Sequence, residues 1–414
     1  MRTTDAGDIQ RRPSPSPARG GRPGWARARF IALIALCVLL LAGAAQATPR
    51  IGVMTMLPGE IFWERFGHDA IVVDDPAAGA PVSYNFGFFD PSEPDFVSRF
   101  VHGHMRYRLV ALPLADDLAY YREVGRGVSI QWLDMAPAQA QSLADALAEN
   151  ALPRNARYDY DYFTDNCSTR VRDALDHALG GQLHEQLAGR SRGNTYRGEA
   201  VRLASPAPWM SLGFDVGLGP FADTPLSRWE EAFVPMHLAD SLREVRLADG
   251  RPLVRAEARL LPHRVAPEPA ERARPWWPWL LAGLAAGIAL LAAGARAPRA
   301  VAAFALACWT LAGLLGALLL FLWIDTAHRA AWANQNLLLF DPLCLLLLPG
   351  GWRLVRGRAA GPWFGRLLVA VLAAAGFAWF MRWLPAFPYQ DNARWIALLL
   401  PVHAALCLRL RPRA

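Results

Sequence analysis

The segment DYFTDNCSTRVRD, residues 161–173, sets a cysteine in a polar surrounding. The other cysteines, Cys37, Cys308, Cys344 and Cys407, lie in apolar runs, where cysteine behaves as a small hydrophobe. Beyond Asn166, the residues Val171, Ala174, Leu175, Ala178 and Leu179 recur at i, i+3, i+4, i+7 and i+8. That spacing predicts an amphipathic helix ending before Gly180-Gly181. Asp165 or Asn166 is then the N-cap, and Cys167 falls in the first turn on the inward face. Amides at a helix start stabilise an anion and lower a thiol pKa, so the position suits a nucleophilic thiolate near neutral pH. It suits a buried structural cysteine equally well.

A thiol nucleophile needs an imidazole base, and that base needs a polar group to orient it. RFGHDAIVV (65–73) offers His68 at the start of a strand, and SYNFGFFD (83–90) offers Asn85 on the next one. With the two strands side by side, a helix packed across the sheet brings Cys167 to both. An oxyanion formed by attack on a carbonyl would be held by the Cys167 N–H and a side-chain amide, Asn85 or Asn166, with Asp165 as a neighbouring positioning residue. His102 and His104 share one strand face but have no third metal ligand at a suitable spacing. His177 is too far along the helix to act on Cys167, and His237 has no nearby nucleophile. No metal site is expected. No cofactor is expected either, because dinucleotide-binding glycines and a P-loop are both missing.

These residues need a scaffold and a compartment. The 414 residues are 53% hydrophobic with 16 Trp, which is heavy for a soluble protein and points toward lipid. The formal charge of +7 comes from arginine alone. Lysine is absent, which excludes a lysine nucleophile or Schiff base. No basic patch interleaves with stacking aromatics, so nucleic acid is not an expected partner. Residues 1–29, rich in Pro, Arg, Gly and Ser, read as disordered. Residues 30–47, an apolar run after arginines that ends in Ala-Gln-Ala, read as a secretory signal peptide or an uncleaved anchor.

From 48 to 274 the balance is that of a soluble α+β domain. DAIVVDD, VSYNFGFFD, RYRLVALPL and GVSIQWLDM read as strands, PAQAQSLADALAEN as a helix, and LREVRLADGRPLVRAEARLL as a hairpin around Asp249-Gly250. From 275 to 414 there are apolar stretches at about 277–294, 300–324, 337–349, 364–384 and 395–408, which predict about five transmembrane helices. Arg296, Arg299, Arg353, Arg356, Arg358, Arg366, Arg409, Arg411 and Arg413 fall on one side of them. The positive-inside rule makes that side cytoplasmic and sends 48–274 outside, with Trp276, Trp277 and Trp279 at the outer interface.

FGHDAIVV, YNFGFFD and YFTDNCSTRVRDALD resemble the periplasmic domain of the Lnb-type membrane proteins, named for a bacterial lipoprotein N-acyltransferase. The order His, polar residue, Asn-Cys also resembles permuted papain-like proteins of the NlpC/P60 and lecithin:retinol acyltransferase group. HRAAWANQNLLLFDPL (328–343) is similar to the family's segment between membrane helices. The resemblance implies a papain-like α+β periplasmic domain followed by an all-α transmembrane bundle in the bacterial inner membrane. It implies Cys167 as nucleophile, His68 as base and Asn85 as third member. The implied substrates are a membrane phospholipid and a lipoprotein whose N-terminal cysteine amine accepts the acyl chain. Arg170, His328, Asn334 and Asn336 are candidates for substrate binding. Loop polarity, helix capping or, for Arg170, a surface ion pair with Asp173 would explain them as well. Two other readings stay open: a cysteine amidase or peptidase acting on cell-wall peptides, and a non-catalytic membrane scaffold.

Overall fold

Residues Ile71 and Val73 pack into one buried cluster and Ala70 and Val72 into another, so the strand that carries them is covered on both faces. The computed structural model describes residue 29 and residues 48–412. The expected disordered segment and signal segment therefore lie, Arg29 apart, outside the described residues. From Thr48 onward the chain is one compact unit.

Among the described residues the strands are β1 (Arg50–Met56), β2 (His68–Asp74), β3 (Val82–Phe88), β4 (Met105–Pro113), β5 (Val128–Leu133), β6 (Arg157–Tyr160) and β7 (Val254–Leu261). They form one antiparallel sheet in the order β6-β4-β3-β2-β1-β5-β7. The helices of this part are α1 (Phe96–His102), α2 (Leu114–Glu123), α3 (Pro137–Asn150), α4 (Cys167–Ala178), α5 (Gln182–Leu187), α6 (Tyr196–Leu203), α7 (Pro208–Gly217), α8 (Arg228–Glu231) and α9 (Pro235–Glu244). Leu143 and Leu147 of α3, Val171 and Leu175 of α4, and Leu238 and Leu242 of α9 cover the Ile71/Val73 face. Tyr121 of α2 covers the Ala70/Val72 face.

The expected hairpin around Asp249-Gly250 is only a short antiparallel reversal, with the Leu247 N–H donating to the Arg251 carbonyl and the Leu253 N–H to the Val245 carbonyl. Its first residues end α9, a lone bridge joins Arg246 to Pro252, and β7 pairs with β5 instead. Beyond the reversal the chain from Val254 to Leu261 joins the open edge of β5, which offers a longer ladder than the end of α9 can.

After β7 come α10 (Trp277–Arg296), α11 (Pro298–Ile324), α12 (Leu348–Val355), α13 (Phe364–Met381) and α14 (Ala393–Leu410). Four of these are long and apolar enough to cross a membrane. The stretch 329–355 is a succession of 3-10 turns leading into α12, bent by 44°, and makes a fifth span if counted as one. Glycine lets two of the helices meet closely: a Cβ on Gly283 of α10 would lie 2.6 Å from the Ala397 carbonyl of α14. A sheet-containing N-terminal part is thus followed by a helical, apolar C-terminal part.

The two parts are joined by buried polar groups. Asp215 of α7 accepts hydrogen bonds from Arg274 (3.1 Å), Arg394 (2.6 Å) and the Trp395 indole (2.9 Å). The amides of Asn334 and Asn336 donate to the Val216 carbonyl at 2.8 and 3.0 Å. At a second contact the Ala327 N–H donates to the His102 carbonyl at 2.8 Å. A Cβ on Gly103 there would lie 2.9 Å from the His328 nitrogen.

Candidate active site

The β2–β3 ladder ends at the pair Ala70/Asn85, two residues short of His68, and β3 shifts register between Asn85 and Phe88. Gly87 makes that departure possible, with φ at +90°, a conformation L side chains rarely adopt. α4 brings its first residue to the gap so opened. A Cβ placed on Gly87 would lie 3.7 Å from the Cys167 Cβ. The backbone N–H groups of Asp69 and Ser168 face the cysteine sulfur.

The start of α4 is fixed by its cap. Asn166 Oδ1 accepts from the Thr169 N–H at 2.9 Å, and the Thr169 hydroxyl accepts from the Asn166 N–H at 2.7 Å. The Asn166 amide donates to the carbonyls of Tyr162 (3.1 Å) and Phe233 (2.9 Å). Both its protons are engaged, so this side chain positions the helix and has none left for an oxyanion.

His68 and Asp69 are consecutive in a strand and point to opposite faces. His68 Nε2 is 3.0 Å from Asn85 Oδ1. The Asn85 amide donates to Asp117 of α2 at 2.9 Å, and the Ser83 hydroxyl donates to the same carboxylate oxygen at 2.7 Å. A carboxylate only accepts, so the amide NH2 must face Asp117 and its oxygen must face the ring. The imidazole therefore carries its proton on Nε2, donates it to Asn85, and keeps the Nδ1 lone pair free. The imidazole's partner at rest is Asn85, not the thiol. Burial holds the His68 pKa at about 4, and the charge of Arg126 pushes the same way, against the Asn85 hydrogen bond and Asp117. At neutral pH His68 is an uncharged base.

Burial likewise pushes the Cys167 thiol up to about 12, with Asp69 adding to it and the Asp69 and Ser168 amides opposing it. The expected thiolate at a helix start gives way to a protonated thiol, because removal from water outweighs a few amide dipoles. Asp69 is fully buried, and burial raises its carboxyl to about 7 against the hydrogen bonds of Ser168 and Thr55. The Ser168 hydroxyl lies 2.7 Å from both Asp69 Oδ2 and the Ala232 carbonyl. One proton cannot serve both, and the pattern closes when Asp69 keeps its own proton.

The remaining expected residues are held elsewhere. Arg170 Nη2 donates to Asp165 Oδ2 at 2.6 Å, and its guanidinium lies 4.2 Å from the Tyr158 ring centre. Asp165 is thus its ion-pair partner. Asp173 instead pairs with Arg172, at 2.8 Å. His328 contacts the Phe100 carbonyl at 3.1 Å, and Asn334 and Asn336 are buried in the contact with α7. These three join the sheet part to the helical part and do not line the gap at Cys167. Sequence reading missed Asp117, Ser83 and Arg126. Asp117 is 32 residues from Asn85, and only the fold brings them together.

Two family profiles match the chain, and together they cover more than half of it. The Lnb N-terminal periplasmic domain matches residues 45–198, and the Lnb transmembrane domain matches residues 274–410. The chain belongs to the Lnb family. It is a lipoprotein-modifying membrane protein with a periplasmic N-terminal domain and a transmembrane domain. No curated protein and no solved structure matches it.

Proposed function

We propose that this Lnb-family protein is a thiol acyltransferase of the bacterial inner membrane. It moves an acyl chain from a membrane phospholipid, through a thioester on Cys167, to the amine of a lipoprotein's N-terminal cysteine. The observation that carries this reading is an exposed apolar surface joined to the gap at Cys167 by a run of aromatic rings. Phe62 and Trp63, in the turn before His68, are exposed, as are Val97 of α1 and Trp209 of α7. The last residues of α1 and α7 are bound by the loop that follows α11, so the surface adjoins the membrane helices. Phe62 stacks on Trp209, and Trp63 meets Phe89 edge to face. From Phe89 the rings continue through Tyr107 to Tyr160, whose ring borders Gly87. An exposed apolar face of this kind suits contact with lipid.

In this reading the thiol proton passes to His68 Nδ1 as the sulfur bonds to the ester carbon. The carbonyl electron pair moves onto oxygen, then returns as the carbon–oxygen bond breaks, and His68 protonates the departing alcohol. Neutral His68 next takes a proton from the incoming amine, which displaces Cys167 from the thioester, and His68 returns that proton to the departing sulfur, restoring the thiol. Asn85, held by Asp117, keeps the ring in the tautomer both steps need. Arg170 and Asp165 act as positioning residues, and Asn334, Asn336 and His328 as ties between domain and membrane.

The test is purified protein in detergent with phospholipid and a diacylated lipopeptide bearing a free N-terminal cysteine amine. Mass spectrometry is expected to find one acyl mass gained on the amine and a thioester on Cys167, both absent in Cys167→Ala. Folded protein that gives neither product, but cleaves peptidoglycan fragments, would make it an amidase.

A further inference from the structure

The Tyr158 hydroxyl is buried and its proton has no acceptor. Buried donors without acceptors are rare, and each needs a reason. The same point that a Gly87 Cβ would occupy lies 3.8 Å from this hydroxyl, 3.7 Å from the Cys167 Cβ and 3.5 Å from the Tyr160 ring. Glycine at 87 therefore leaves a small space whose walls are the cysteine and an unengaged O–H. The Gly87 N–H faces the phenol oxygen, so what the phenol lacks is an acceptor for its proton. Burial drives the phenol pKa up, so the group carries its proton at neutral pH. Its ring is held by Phe86 on one contact and by the Arg170 guanidinium on another, and Arg170 is fixed in turn by Asp165. A cation over the ring draws electron density from it and makes the phenol a stronger donor.

We propose that the Tyr158 hydroxyl is the side-chain donor to the oxyanion, and that the carbonyl oxygen under attack sits in the space left by Gly87. This rests on the reading that Cys167 attacks a carbonyl carbon, and it holds whether the acyl group comes from an ester or an amide. As the sulfur–carbon bond forms, the carbonyl pair moves to oxygen and accepts the Tyr158 hydrogen bond. The proton stays on the phenol, and the bond loosens when the pair returns to carbon and the leaving group departs. A reacting atom near both nucleophile and donor is the arrangement such chemistry requires.

Tyr158→Phe removes the hydroxyl and keeps the ring. The full-length protein in detergent would be treated with p-nitrophenyl octanoate, reading p-nitrophenol release and the octanoyl mass on Cys167. In parallel, iodoacetamide alkylation of Cys167 would be followed by peptide mass spectrometry, because alkylation uses the thiol but builds no oxyanion. The expected result is acylation slowed on the order of 10²-fold, the range for one lost oxyanion donor, with alkylation unchanged. Thermal unfolding should be unchanged or later, since an unpaired buried group has been removed. Acylation at the wild-type rate would overturn the inference, and so would equal losses in acylation and alkylation. A wild-type protein that shows no acylation dependent on Cys167 would overturn the nucleophile reading itself, and Tyr158's role with it.

Discussion

Two buried polar clusters of this protein handle charge in opposite ways. Where the sheet part meets the membrane helices, Asp215 lies against Arg274 and Arg394, and Asp223 against Arg197, whose guanidinium also donates to the carbonyls of Asp215 and Leu218. Around Cys167 the titratable groups are removed from water and paired with no opposite charge directly, Arg126 and Asp117 acting on them only from a distance. The thiol and the Asp69 carboxyl are driven up, the imidazole is driven down, and all three rest neutral or nearly so. Fixed ion pairs suit a joint. Groups held near neutrality suit a site that passes protons between them, since no strong pair must be broken first.

The sharpest way to break this contrast is at the joint. Asp215→Ala leaves the buried Arg394 without its carboxylate and Arg274 with Asp391 alone, at 2.9 Å. It should destabilise the protein by about 3–5 kcal/mol, as removal of one member of a buried ion pair does, with thermal unfolding in detergent as the measurement. The acid–base behaviour of Cys167 should be unaltered in whatever fraction stays folded.

A smaller effect is expected from Asn85→Ala, which frees the imidazole to turn and change tautomer. Acyl transfer should fall on the order of 10²-fold, with stability lower by about 1–3 kcal/mol because Asp117 loses a buried donor, and a rate within twofold of wild type would remove Asn85 from the mechanism. Smallest is the contribution of Asp69 to pH dependence. Its folded pKa of about 7 lies above its ordinary value, so the folded state holds the proton more tightly than the unfolded chain does. Stability from this source is complete below about pH 4, declines as pH rises to about 7, and is constant beyond. Asp69→Asn should flatten that decline, seen as unfolding midpoints that converge at low pH and separate toward neutrality. An unchanged slope would mean that Asp69 is ionised throughout.

Much of this was readable in the residues, and the gaps have physical causes. β2, β3, β4 and β5 are runs of β-branched and aromatic residues bounded by turn formers, and α3 begins at its proline. β1 lacks alternation because it is buried on both faces, so RIGVMTM gives no period to detect. β6 has four residues and too little length for a pattern. The cysteine, the histidine and the asparagine of the proposed site stand out from local setting alone. Asp117 could not, because an acidic residue on an ordinary helix turn carries no local mark of what it will face. Tyr158 was hidden for another reason: in RYDYDYF several tyrosines alternate, and only the space beside Gly87 distinguishes one of them. The thiol's acidity was misjudged because a helix start is visible in sequence and the depth of its burial is not.

The residues that meet Asp215 have a consequence for how the protein is made. Asp215 lies in the stretch between the two matched family regions, and its partners Arg394 and Trp395 begin α14, the last of the described helices. Chains emerge from the ribosome in order, and the export of α7 precedes the synthesis of α14 by well over a hundred residues. Throughout that interval the underside of the exported domain waits for its counterpart. Phe214, one residue before Asp215, packs edge to face on Phe66, two residues before His68. A truncated or stalled chain therefore leaves α7, which also packs on the approach to β2, without the partners of its Asp215.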